Sequence, residues 1–199
     1  MIKAIIFDAD GVCVHADRFY AEHFLAQHNL PPGLLQEFWS EVFPQCLTGQ
    51  LSIHKALADY FAQINLQVDV DSYLQDWFAY ENKPNQELLG YIQTLRHKGY
   101  ICALATNQES LRTQYIKQEM GFDKLFDHIF ASSELGLSKR NPEFYQALMH
   151  KLNLEEKQLL YIDDTQALVD LASQLNIKSH CFKTNQEAVE FIELGLKGQ

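Results

Sequence analysis

After Pro84 the sequence alternates between two periodicities, and few architectures accommodate that order. Apolar residues recur at helical spacing over 85–97, 109–120, 142–152, 166–175 and 186–196. Between these stretches lie short apolar runs at 100–105, 128–131, 159–162 and 178–182, which read as strands. One more such run, Lys3-Ala4-Ile5-Ile6-Phe7, opens the chain and ends at Asp8. Strands joined through helices pair in parallel, and the sheet they form must be covered by helices on both faces. A doubly wound parallel sheet of five strands is therefore expected.

The stretch between Gly11 and Pro84 breaks this rhythm, with helical spacing over 17–30, 34–43, 53–64 and 70–80 and no strand pattern. Pro31, Pro32 and Gly33 separate the first two helices. Thr48-Gly49-Gln50-Leu51-Ser52 predicts a helix stop at Gly49 and an N-cap at Ser52. The expected architecture is thus an α/β core, Rossmann-like, formed by 1–15 and 83–199, with 16–82 inserted after the first strand as a four-helix cap. Twelve of the 24 aromatic residues fall in that insert. They suffice for a small core of its own, and some are expected to line a cleft shared with the sheet, since ligand sites favour such junctions.

Sixteen Lys and Arg against 26 Asp and Glu give a net charge of -10, which repels nucleic-acid backbones and anionic lipid, and no basic patch counters it. The early apolar run stops at Asp8, too soon for a signal peptide or a membrane span, so a cytoplasmic protein is expected, monomeric or homodimeric. Cys13, Cys46, Cys102 and Cys181 are widely spaced and read as free thiols.

In a doubly wound sheet, ligands bind beyond the carboxyl ends of the strands. The first strand is followed there by Asp8-Ala9-Asp10-Gly11, the second by Thr106-Asn107 and the fourth by Asp163-Asp164, with Lys139 in the loop beyond the third. Asp8 and Asp10 are two apart, so an extended chain would project both carboxylates to one side. Such crowding is tolerable with a proton or a cation between them, and an oxygen-only donor set suits Mg²⁺. A hydroxyl, an amide and an ammonium converging on those acids would cradle a phosphoryl group.

These residues resemble the haloacid dehalogenase-like hydrolase superfamily, in its branch with a helical cap after the first strand. Ile5-Ile6-Phe7-Asp8-Ala9-Asp10-Gly11-Val12 matches the family's first motif and Ala105-Thr106-Asn107 its second. Lys139 resembles the third, and Tyr161-Ile162-Asp163-Asp164-Thr165 the fourth. The Thr48 to Ser52 turn resembles the cap of small sugar-phosphate phosphatases and of the phosphatase domain of epoxide hydrolase. The resemblance implies an Mg²⁺-dependent phosphatase acting on a small phosphorylated metabolite, with Asp8 as nucleophile forming an aspartyl-phosphate and Asp10 as general acid and base. Asp8, Asp164, Asp163 through a water, and the Asp10 backbone carbonyl would hold the metal. Thr106, Asn107 and Lys139 would bind the phosphoryl group. A sugar-phosphate mutase, a 2-haloacid dehalogenase and a weakly catalytic phosphate-binding protein are the alternatives, and Asp10 argues against the dehalogenase. Arg140, Leu168 and His15 depart from the family's usual residues at their positions.

Overall fold

A computed structural model describes residues 1–15 and 19–197. The predicted helix start at Asp17 and the insert's first residue, Ala16, lie outside the described residues.

Five strands, β1 (Ala4–Phe7), β2 (Ile101–Thr106), β3 (His128–Ala131), β4 (Leu159–Asp163) and β5 (Lys178–Cys181), form one sheet in the order β3-β2-β1-β4-β5. Every neighbouring pair is parallel, as alternation with helices requires. The central strands are buried on both faces, so they read as continuous apolar runs without polar alternation. Alternate residues nevertheless serve different cores. Ile5 and Phe7 pack with Leu104, Leu160 and Ile162 on one face, while Ala4 and Ile6 pack with Ala103, Phe144 and Tyr161 on the other. β1 pairs with β2 on one side and β4 on the other, so its carboxyl end opens at the place where the chain's path across the sheet reverses.

Between β1 and the helix α5 (Gln86–His97) lie α1 (Tyr20–Gln27), α2 (Phe43–Leu47), α3 (Ile53–Gln63) and α4 (Val70–Tyr80). Their apolar faces close on a separate cluster that includes Phe24, Phe38, Leu57, Phe61, Tyr73 and Trp77. The predicted helix over 34–43 is corrected here. The helical path runs on to Leu47, crossing a π-turn at Phe38–Val42 in which the Phe43 N–H donates to the Phe38 carbonyl. Pro44 explains the turn: with no N–H of its own and a ring that crowds the preceding turn, it ends regular α bonding without ending the helix. Gly49 stops the helix in a left-handed conformation, φ +71°, as predicted. Ser52 occupies the N-cap position of α3, but its side chain makes no capping bond.

After β2, the chain forms α6 (Ser110–Gln118) and the short α7 (Phe122–Leu125), then β3, the short α8 (Ser132–Leu135) and α9 (Pro142–Leu152). α10 (Gln166–Gln174) and α11 (Asn185–Lys197) complete the layers. The two strands of chain joining insert to sheet run side by side: the His15 N–H donates to the Lys83 carbonyl at 2.9 Å, and the Asn85 N–H to the Cys13 carbonyl at 2.8 Å. No helix among the described residues is long and apolar enough to cross a membrane.

Candidate active site

Asp8 follows the last residue of β1, and its N–H donates to the Ile162 carbonyl at 2.9 Å, extending the ladder by one residue. That extension brings Asp8 beside Asp163, the last residue of β4. Lys139, only 2% exposed, reaches between them, its Nζ 2.6 Å from Asp8 Oδ1 and 2.7 Å from Asp163 Oδ2. Asp163 is fully buried and accepts further bonds from the Tyr161 hydroxyl and from the Thr165 N–H at 2.9 Å. Asp164 turns outward, and one carboxylate oxygen from each of Asp8, Asp163 and Asp164 lies within 4.8 Å of the others.

The electrostatics of this group favour a cation. Burial pushes the Asp8 carboxyl up to about 8; the Lys139 ammonium opposes that rise and the Asp163 charge adds to it. Asp164 is raised as well, by burial first and by Asp163 second. Burial alone would depress Lys139, but Asp8 and Asp163 outweigh it and hold the ammonium protonated. Once Asp8 loses its proton, three carboxylates face one ammonium and leave excess negative charge at the mouth of the cleft. A divalent cation with hard oxygen ligands offsets it, and Asp8 and Asp164, facing the cleft, fit Mg²⁺. Gly11 makes room for this arrangement, because at φ +84° a Cβ there would lie 2.0 Å from Asp164 Oδ2.

Asp10 is corrected relative to the extended-chain expectation. The chain turns after Asp8, whose Oδ1 accepts from the Ala9 N–H at 2.7 Å, and Asp10 pairs instead with Val14 in an isolated bridge. Its carboxylate stands outside the group of three, accepting from the Gln108 side-chain amide and lying 4.0 Å from the Arg112 guanidinium. Two carboxylates two residues apart thus occupy different environments, one buried against an ammonium and one half-exposed beside an amide.

Asp8, Asp10, Thr106, Asn107, Lys139 and Asp164 line one cleft, together with Arg140, Leu168 and His15, the three departures noted in the sequence. Asp163 lies behind its wall. Asn107 Oδ1 accepts from the Lys139 N–H at 2.8 Å and from the Ser138 hydroxyl at 3.4 Å, which fixes the lysine loop and leaves the Asn107 amide N–H groups as donors. Cys13 is wholly buried, and burial holds its thiol well above the ordinary range, so it is a packing residue.

Sequence reasoning missed three side chains here. Gln108 follows the Thr106-Asn107 motif directly. Arg112 on α6 resembles a solvated helix residue, yet it is 1% exposed and donates to the Phe78 carbonyl at 3.0 Å and the Glu81 carbonyl at 3.4 Å. Glu81, buried at the return from α4, accepts from the Tyr20 N–H at 2.9 Å. The only signal was proximity to a motif in the first case; the other two depend on how the insert sits on the sheet.

A family model for haloacid dehalogenase-like hydrolase matches residues 2–173. Among curated proteins, the chain is 22% identical to D-ribitol-5-phosphate phosphatase of Bacteroides thetaiotaomicron, over 90% of this chain and 91% of that one. It is 22% identical to phosphoglycolate phosphatase of Aquifex aeolicus, over 89% and 83% of the two chains. A phosphoglycolate phosphatase of Pasteurella multocida is 32% identical over 37% of this chain, which spans about a third (33%) of that relative. Among solved structures, a predicted HAD-like family hydrolase from Porphyromonas gingivalis superposes with a TM-score of 0.83 at 21% identity, covering 100% of both chains. A HAD family enzyme from Bacteroides thetaiotaomicron, in complex with magnesium and inorganic phosphate, superposes with a TM-score of 0.77 at 18% identity, covering 92% and 95%.

Proposed function

The chain belongs to the haloacid dehalogenase-like hydrolase family, and on that premise we propose that it is an Mg²⁺-dependent phosphatase of a small phosphorylated metabolite, working through an aspartyl-phosphate on Asp8. The observation that carries this reading is the division of labour at β1. Asp8 lies 2.6 Å from Lys139 and within 4.8 Å of two further carboxylates, while Asp10 stands apart with Gln108 as its partner. A nucleophile and a proton carrier need such different surroundings.

Asp8 attacks phosphorus, forming a P–Oδ bond as the ester P–O bond breaks, and Asp10 delivers a proton to the departing alkoxide. Water then attacks the same phosphorus, Asp10 takes its proton, and the P–Oδ bond breaks to release inorganic phosphate. Lys139 offsets charge on Asp8 and on the transferring group, and donors from Thr106 and Asn107 hold the phosphoryl oxygens. Mg²⁺ held by Asp8, Asp164, the Asp10 carbonyl and, through water, Asp163 would supply charge stabilisation at phosphorus. Residues 16–82 act in this reading as a cap over the cleft, shielding the aspartyl-phosphate from bulk water. Relatives named for phosphatase activity and a neighbour holding magnesium and phosphate support the proposal.

The test is hydrolysis of a generic aryl phosphate. Mg²⁺ should be required, EDTA should abolish turnover, and Asp8→Asn should lower kcat at least a thousandfold with the fold retained by circular dichroism. Undiminished turnover by Asp8→Asn overturns the assignment, and halide release from a 2-haloacid without added metal would transfer it to dehalogenation.

A further inference from the structure

A cavity of about 400 Å³ adjoins the acid-lined cleft, sharing Asp10, Phe19, Glu81 and Asn107 with it. That volume suits a small-molecule group. Its wall on the insert side is built from Trp39, Phe43 and Trp77, which support one another edge to face: Trp39 and Phe43 at 4.8 Å, Trp39 and Trp77 at 5.2 Å between ring centres. The π-turn ahead of Pro44 carries Trp39, and Phe43 follows it as the first residue of α2. The charged side chains lining the cavity among the described residues are Asp10, Glu22 and Glu81, all acids. Among the described residues, Arg112 lies behind Asp10, 1% exposed and bound to the Phe78 and Glu81 carbonyls, so it offers a ligand no free donor at the surface, and Arg140 lines the adjoining cleft and not this cavity.

From this wall we infer that the phosphoester's leaving group is a ring-bearing alcohol that carries no second anionic group. The inference rests on the phosphatase reading and names its substrate class. Aromatic side chains held rigid by one another favour a flat apolar body, which buries area there at little entropic cost. A carboxylate or a second phosphate on the leaving group would meet Glu22 and Glu81 beside Asp10 and, among the described residues that line the cavity, no basic side chain, and like charges there repel. A small polyol would leave the aromatic wall wet. The position of Asp10 at the junction of cleft and cavity supplies the proton where the alcohol departs.

The experiment compares esters of primary alcohols, so that leaving-group basicity does not decide the outcome: benzyl phosphate and a nucleoside 5′-monophosphate against 2-phosphoglycolate and glycerol 3-phosphate. With saturating Mg²⁺, the ring esters should show kcat/KM at least tenfold higher. Trp77→Ala and Trp39→Leu should each lower kcat/KM for the ring esters at least tenfold more than for acetyl phosphate. Glu22→Lys should raise 2-phosphoglycolate relative to benzyl phosphate.

A binding readout stands beside the kinetics, because both tryptophans of the chain line this wall. In the Asp8→Asn variant with Mg²⁺, the nucleoside monophosphate should change tryptophan fluorescence and 2-phosphoglycolate should not. Equal or better turnover of 2-phosphoglycolate or glycerol 3-phosphate by the wild type overturns this inference and leaves the phosphatase reading intact. Absence of Mg²⁺-dependent turnover for every ester and for acetyl phosphate overturns the phosphatase reading instead; the fluorescence titration then decides the ring site alone, and an equal response to both ligands overturns it.

Discussion

At the scale of single residues, the site is governed by how much charge a buried cleft tolerates. Asp8 is held in the folded chain at about 8 against an ordinary 3.8, so the native state binds that proton more tightly than the unfolded state does. This group therefore takes stability away from the metal-free protein as pH rises from about 4 to about 8. In the proposed reading Mg²⁺ at Asp8 and Asp164 would compete with their protons, so the rise in Tm on adding Mg²⁺ should be larger at pH 8.5 than at pH 6. Paired melts with and without the metal check this, and a shift that shrinks with rising pH contradicts it. Gln108 is the second residue to probe, since it holds the Asp10 carboxylate. Gln108→Leu should lower kcat about tenfold, a part of the two to four decades that general acid–base catalysis supplies, and displace a limb of the pH–rate profile. An unmoved profile would reduce Gln108 to a packing residue.

At the scale of elements, the loop between α2 and α3 carries the sharpest steric condition. Gly49 sits at φ +71°, and a Cβ there would lie 2.7 Å from the Ser133 carbonyl oxygen on α8. Gly49→Ala should cost about 1–2 kcal/mol from the left-handed backbone alone and more from the contact, read by urea unfolding; a neutral substitution would show that the loop need not approach α8. The elements also show what the sequence could and could not disclose. Strands such as β1 and β4 are legible because a strand buried on both faces is apolar throughout. The expected helix over 34–43 stops just before Pro44, and that the helical path continues past this proline through a π-turn depends on packing around Phe38 and Trp39. Asp8, Thr106 and Asp164 share one cleft because they lie at or just after the ends of β1, β2 and β4, whereas Lys139 reaches it from the loop beyond α8, whose path the sequence alone does not fix. The direction of Asp10 was not legible, because the turn at Ala9 that sends it to Gln108 lies beyond the regular strand.

At the scale of the whole molecule, the insert and the sheet meet over Arg112, whose guanidinium binds carbonyls at the end of α4 and lies 5.5 Å from the Phe78 ring and 5.6 Å from the Tyr115 ring. One buried side chain thus joins the insert to the α6 side of the Asp10 environment. Arg112→Met should raise KM and lower kcat together while leaving Mg²⁺ affinity at Asp8 and Asp164 within about twofold. A large loss of metal affinity would show that its role is general folding. The net charge of -10 acquires a local meaning here as well. Asp8 and Asp164 line one cleft with Asp163 buried behind its wall, and in the proposed reading Lys139 and Mg²⁺ would offset their charge so that a phosphate monoester can enter.

The central claim, a covalent phosphoryl group on Asp8, is tested most directly by acid-quenched mass spectrometry of the Asp10→Asn variant. Acetyl phosphate with Mg²⁺ phosphorylates without needing an acid, while loss of the base slows hydrolysis. The account predicts one phosphoryl group on the peptide bearing Asp8, lost on adding EDTA before substrate and absent in Asp8→Asn. Turnover with that peptide unmodified, or the label on another residue, contradicts it.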